Sequence, residues 1–218
     1  MRFATLCSTA LLVSALGWIA APTSAAPAQK AADSTTSTTA EIGKPAPQFT
    51  LKDTNGKSVS LSDFKGKTVV IEWFCPTCPY SGGKSSRSIH STGQVKQLMA
   101  DMKKADDNAV YLLIDSSTAK MRMTPDQLIA KDKEIAKARD ITAPILIDAD
   151  TKVAAAYGAK TTPHCYVIDG DGVLRYMGAF SDMAETNYVL KAVTAIKNGS
   201  EVSPSQKKPW GCGVKIKK

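Results

Sequence analysis

Cys75 and Cys78, in Cys75-Pro76-Thr77-Cys78, are the residues of this 218-residue sequence whose types and spacing are best suited to chemistry. They follow a run of strand formers, Val69-Val70-Ile71-Glu72-Trp73-Phe74, and the pattern predicts a helix start directly after that strand. A helix start presents unsatisfied N–H groups and the positive end of the helix dipole, which favour a thiolate over a thiol. Cysteines of such pairs have pKa values of roughly 3.5 to 7.5, against about 8.5 for a free cysteine. A thiolate of this kind is both a nucleophile and a leaving group, so the pair can exchange electrons with another disulfide. Either cysteine is a candidate for the attack. Pro76 restricts the turn between them.

Two bland readings compete. A structural zinc site needs four ligands, and the other candidates, Cys165, Cys212, His90 and His164, form no second closely spaced pair. No metal site and no cofactor is therefore expected. A purely structural disulfide across so short a loop would remove little chain entropy.

A second group of residues must come close to the pair. Thr161-Thr162-Pro163-His164-Cys165 precedes a predicted strand, and Pro163, which cannot donate to a sheet, is a candidate for a cis peptide. His164 could meet the thiols or bond to backbone. Cys165 could be an inert core thiol, a partner for Cys212, or a participant with the pair. Cys212 lies in Trp210-Gly211-Cys212-Gly213, where two glycines permit close backbone approach. Glu72 could take a proton from a buried thiol, or be an exposed strand-end carboxylate. His90, in a polar stretch, reads as a surface residue.

The surrounding elements alternate between strand and helix. Asn55-Gly56 marks a hairpin between short strands near 49–51 and 58–60. Val95, Leu98, Met99 and Met102 recur at helical spacing. Strands are expected at 110–114 and 145–147, with a helix from Thr124-Pro125 to about Arg139 between them. A short helix at 153–157, a strand at 165–168, a turn at 169–172 with its hairpin partner at 173–177, and a helix over about 185–197 complete the pattern. This order specifies an α/β fold with a mixed central sheet flanked by helices, an N-terminal hairpin and a C-terminal tail.

A positive start at Arg2, an apolar stretch over 3–21 and small residues at 23–26 have the layout of a signal peptide. The expected organisation is a signal peptide over 1–26, a low-complexity linker over 27–41, one domain over 42–200 and a tail over 201–218 carrying Cys212. No membrane span is expected in the mature protein. Export, to a bacterial periplasm by preference, would put the remaining four cysteines in an oxidising compartment. The net charge of +8 is scattered rather than gathered into a patch interleaved with aromatics, so no nucleic-acid partner is expected.

A Cys-x-x-Cys after a buried strand, with Thr162-Pro163 entering a strand far downstream, resembles the thioredoxin superfamily. More narrowly, Glu72-Trp73, Cys78-Pro79-Tyr80, Thr162-Pro163-His164, Tyr166-Val167-Ile168-Asp169, Gly178-Ala179, Asn187-Tyr188 and Gly211-Cys212 resemble the peroxiredoxin-like redoxins of the alkyl hydroperoxide reductase and thiol-specific antioxidant group. The resemblance implies a thioredoxin-like fold with a cis-Pro loop facing the pair. It implies that Cys78 is the principal cysteine and Cys212 the second, resolving one. It departs from the peroxidase pattern: the Pro and Thr expected seven and three residues before the attacking cysteine are Ile71 and Cys75 counted from Cys78, and Thr68 and Glu72 counted from Cys75. The expected activity is thiol-disulfide exchange with protein or small-molecule disulfides and thiols. Two alternatives are a thiol peroxidase, with peroxide as substrate, and a copper-binding assembly factor using soft Cys75 and Cys78 with a nearby histidine.

Overall fold

The centre of the fold is β3 (Val69–Phe74), whose residues are buried on both faces, which is why its sequence reads as an almost unbroken apolar run. The computed structural model describes residues 39–217; the expected signal peptide and most of the linker lie outside the described residues. β3 runs parallel to β4 (Val110–Asp115), in a register that sets Phe74 opposite Asp115. It runs antiparallel to β7 (Cys165–Ile168), with Glu72 opposite Cys165. The cysteine pair, the end of β4 and the segment preceding β7 are thereby gathered at one end of the sheet.

The remaining strands are β1 (Thr50–Asp53), β2 (Ser58–Ser60), β5 (Ile145–Ile147) and β8 (Leu174–Gly178), and the seven strands stand in the order β2-β1-β5-β4-β3-β7-β8. The fold is the mixed α/β, thioredoxin-like arrangement expected. β1 and β2 form the Asn55-Gly56 hairpin, and Asp53 Oδ1 accepts the Asn55 and Lys57 N–H groups inside its turn. Outside the main sheet, β6 (Thr161–Thr162) pairs antiparallel with β9 (Cys212–Gly213).

Each face of the sheet has its own core. Val70 and Phe74 of β3 and Leu113 of β4 pack with α1 (Gln94–Ala105), α3 (Pro125–Arg139) and α5 (Tyr188–Lys197). Ile71 and Trp73 of β3, with Leu112 and Ile114 of β4, pack on the opposite side with α4 (Lys152–Tyr157). Trp73 meets Tyr157 and Tyr166 with ring centroids 5.3 and 5.2 Å apart, contacts contributing about 0.5–1.5 kcal/mol each beyond area burial. A short helix, α2 (Thr118–Met121), follows β4.

Boundaries follow capping chemistry. Thr124 and Gln127 form the capping box of α3, with Pro125 in its first turn as expected. The last helix starts at Tyr188 rather than near 185, because the Asn187 side chain accepts the Leu190 N–H and fixes the start there. The helix expected directly after the cysteine pair is absent. Residues 75–93 are turns, and the next helix begins only at Gln94.

Candidate active site

The segment after β3 folds back on itself instead of helicising, since Pro79 and two glycines interrupt it. The carbonyl of Cys75 accepts the Cys78 and Gly82 N–H groups, and that of Cys78 accepts those of Ser81 and Gly83. A Cβ on Gly82 would stand 2.7 Å from the Phe74 ring, and one on Gly83 2.7 Å from the Thr77 carbonyl. Only glycine allows this close return. The expected dipole stabilisation of a thiolate thus has no helix to supply it.

Hydrogen bonds take its place at Cys78. The Cys78 thiol donates to the Thr162 carbonyl at 3.0 Å, a bond that positions the sulfur and belongs to its protonated form. Burial alone would raise its pKa, but bonds from the Thr162 and Cys212 side chains and the Tyr80 and Cys212 backbone outweigh that and hold it below the ordinary thiol value. Cys75 goes the other way: burial, and then the charge of Asp115, push it up, against weaker opposing bonds from Ser117 and Thr77. Both thiols are buried, with 1% of Cys75 and 2% of Cys78 accessible.

The Thr162-Pro163 peptide is cis, as expected, and the Thr162 carbonyl of β6 is what the Cys78 thiol meets beside the turn. The same strand carries the tail. Thr162 pairs with Cys212, the Val214 N–H donates to Lys160, and Lys120 Nζ donates to the Gly213 carbonyl. Upstream, the Trp210 indole donates to the Ser181 carbonyl at 2.7 Å. Cys212 is half-buried at this junction, its thiol pushed up to about 11 by burial and then by its bond to Cys78 and that group's charge. Three thiols therefore meet at one end of the sheet, all of them free.

The other expected residues divide. Glu72 is neither exposed nor in hydrogen-bond contact with a thiol: on the face of β3 shared with Val70 and Phe74, it receives Tyr111 OH at 2.7 Å, Ser81 Oγ at 3.0 Å and His90 Nε2 at 3.1 Å. His90 is buried against it, correcting its reading as a surface residue. Because Ser81 directly follows Cys78-Pro79-Tyr80, this polar cluster braces the turn from beneath. His164 makes no hydrogen bond to a cysteine; its Nδ1 accepts the Lys160 N–H and lies 2.9 Å from Tyr166 OH. Burial, and then the Lys160 charge, lower its pKa to about 4. Trp73 is a core residue whose indole donates to Ser116. Cys165 is fully buried in β7, where burial and then Glu72 push its thiol well up.

With both histidines engaged elsewhere, no imidazole accompanies Cys75 and Cys78 as copper binding would require. Among the described residues no group of three or more His, Cys, Asp or Glu is arranged to hold a metal ion.

Sequence reasoning missed Asp115, Ser117, Tyr111 and Asp132. The available signal was Asp132 between Leu128 and Ile135, a carboxylate on the apolar stripe of its helix.

The profile of the AhpC/TSA family matches residues 42–177. Thiol-disulfide oxidoreductase ResA of Bacillus thuringiensis is 27% identical over 61% of this chain, which spans 66% of that protein's length. The putative chloroplastic peroxiredoxin Q of Oryza sativa subsp. indica is 29% identical over 79% of this chain and 77% of its own. An uncharacterized conserved protein from Geobacillus kaustophilus has a crystal structure that superimposes with a TM-score of 0.68 at 28% identity, covering 81% of this chain and 93% of that one.

Proposed function

The chain belongs to the AhpC/TSA family, and from that premise we propose that it is an exported thiol-disulfide oxidoreductase in which Cys78 attacks and Cys75 completes the exchange. The observation that carries this reading is the opposition between the two thiols, Cys78 held low by its bonds at Thr162 and Cys212 and Cys75 held high by burial and Asp115. Cys78 thiolate attacks one sulfur of a partner disulfide, forming a mixed disulfide and releasing the other sulfur as a thiolate. Cys75 then loses its proton and attacks Cys78, releasing the second partner thiolate. The Cys75–Cys78 disulfide remains, and the partner has gained two electrons. Export is supported by the signal-peptide layout of residues 1–26, and among the described residues no helix is long and apolar enough to cross a membrane.

A second reading is favoured by one observation, the pairing of Cys212 with Thr162 beside Cys78. A peroxide would oxidise Cys78 to a sulfenic acid, and Cys212 would condense with it to a disulfide and water. Redox titration of the mature protein, with thiol trapping and peptide mapping, separates the two. The dithiol reading expects Cys75 and Cys78 to titrate together as one two-electron couple. Pairing of Cys78 with Cys212 alone would make the peroxidase reading the better one.

A further inference from the structure

Both thiols of the pair are buried, yet exchange requires a partner sulfur to arrive in line with Cys78 Sγ. The tail closes that approach. Gly211 packs against the carbonyl oxygen of Thr162, the atom that also receives the Cys78 thiol, so closely that a Cβ there would overlap it. On one side of Gly211, the Trp210 ring lies 6.1 Å from that of Tyr80, in the turn after Cys78. On the other, Cys212 and Gly213 pair with Thr162 and Thr161, and Lys120 Nζ of α2 donates to the Gly213 carbonyl at 3.0 Å. Residues 210–213 thus touch the turn, β6 and α2, the elements that surround Cys78.

This segment is held in a way that lets it come away. β9 is two residues long and pairs with β6 outside the main sheet, a ladder too short to hold by itself. Two apolar anchors flank it: Trp210 packs against one core and donates to the Ser181 carbonyl, and Val214 packs against the other and donates its N–H to Lys160. We propose that residues 210–214 are a strap standing in the partner's place, and that the substrate is an extended polypeptide segment bearing a disulfide, which displaces the strap and adds itself as a strand to Thr161–Thr162. This rests on the dithiol reading above and names the substrate class of its site.

The edge of β6 presents main-chain groups that β9 satisfies, and any extended segment can satisfy them in its stead, whatever its side chains. The strap also shows where the partner's sulfur stands. Cys212 is the residue opposite Thr162, and the Thr162 carbonyl holds Cys78 Sγ at 3.0 Å, so a cysteine in that register lies beside the attacking sulfur. Strap and partner compete for one edge, and the partner's apparent affinity falls in proportion to the fraction of chains whose strap is open. The site is thereby shut to chance disulfides and opens to a chain that replaces each bond the strap gives up. Exchange then follows the steps given above, with Cys78 attacking the partner disulfide and Cys75 closing onto Cys78.

The test uses the full chain carrying Cys212→Ser, which keeps the strap and removes its thiol. The substrates are a disulfide between two copies of a short linear peptide, and the same disulfide with the backbone nitrogens flanking each cysteine methylated, which cannot donate to a strand. Rates of attack are compared on the alkaline plateau of the pH profile, where Cys78 is a thiolate in every variant. Gly211→Ala, whose Cβ cannot lie against Thr162, and Val214→Ser, which loses an anchor, should each raise the second-order rate with the plain peptide about tenfold or more, through the larger open fraction. Methylation should lower that rate about fivefold, the worth of one hydrogen bond. Deuterium exchange at the Val214 amide reports strap opening, and the thermal midpoint is the folding control; Val214→Ser leaves every glycine in place should Gly211→Ala disturb more than the tail. Faster Val214 exchange with a peptide rate raised less than about twofold overturns the strap, as does Val214 exchange unchanged in both variants. Equal rates for plain and methylated peptides overturn strand addition. Product mapping decides the dithiol reading separately: a mixed disulfide on Cys78 that never closes onto Cys75 in any variant overturns that reading and the proposal resting on it, whatever the rates.

Discussion

The Cys78 thiol donates to the carbonyl of Thr162 at 3.0 Å, so the strand that presents the cis-Pro163 peptide also fixes the sulfur with the lowered pKa. Thr162 contributes its side chain as well, and its strand partner is Cys212. One residue thus joins the turn, the cis-proline segment and the tail.

Replacing Thr162 by Val keeps its shape and removes the hydroxyl. The Cys78 pKa should rise, and alkylation of Cys78 at neutral pH should slow about fivefold, the worth of one ordinary hydrogen bond. Rates measured by quenched alkylation and peptide mass analysis would show this; an unchanged rate would mean that the hydroxyl does not support the thiolate.

Gly211→Ala tests the tail. A Cβ there would stand 2.2 Å from the Thr162 carbonyl oxygen, at a φ of +128° that favours glycine. β9 should be forced from β6, costing about 1–3 kcal/mol and separating Cys212 from Cys78. Peroxide-driven formation of a Cys78–Cys212 disulfide, followed by non-reducing mapping, should then fall sharply. Undiminished formation would show that the pairing is not needed to bring the sulfurs together.

The buried carboxylate beneath the turn carries stability. Glu72→Ala leaves His90, Tyr111 and Ser81 without their shared acceptor, and removal of one partner from such a cluster costs about 3–5 kcal/mol. The thermal midpoint should drop by roughly 10 °C. A shift below about 2 °C would mean that the cluster bears little of the fold's stability.

His164 gives a pH dependence whose sign can be fixed. Its pKa is lowered from 6.5 to about 4 in the folded chain, first by burial and then by Lys160. The unfolded chain therefore binds more protons between those values, so the His164 contribution is fully present above pH 6.5 and is lost as pH falls through about 4. Wild type should lose about 3 kcal/mol more than His164→Gln across that interval, measured by denaturant unfolding. Parallel curves would show that His164 is not held neutral.

The strands were legible because β3 and β4 are buried on both faces and their sequences carry nothing but strand formers around one carboxylate. The hairpin at Asn55-Gly56 and the capping box at Thr124 were legible because local chemistry decides them. The turn after Cys78 was not. Its return depends on contacts of Gly82 and Gly83 with Phe74 and Thr77, which periodicity does not encode. His90 looked like a surface residue because the acceptor that buries it, Glu72, lies 18 positions earlier on a strand. The cysteine spacing identified the pair, while the order of the two thiols came from hydrogen bonds that arrive from the distant β6 and β9.

The most direct test is the pH dependence of alkylation of fully reduced protein, with Cys75, Cys78 and Cys212 resolved by peptide mass mapping. Cys78 should react with a midpoint below that of an ordinary cysteine, with Cys75 and Cys212 following only at higher pH. If Cys75 reacts first, with the lower midpoint, the assignment of Cys78 as the attacking thiolate is wrong.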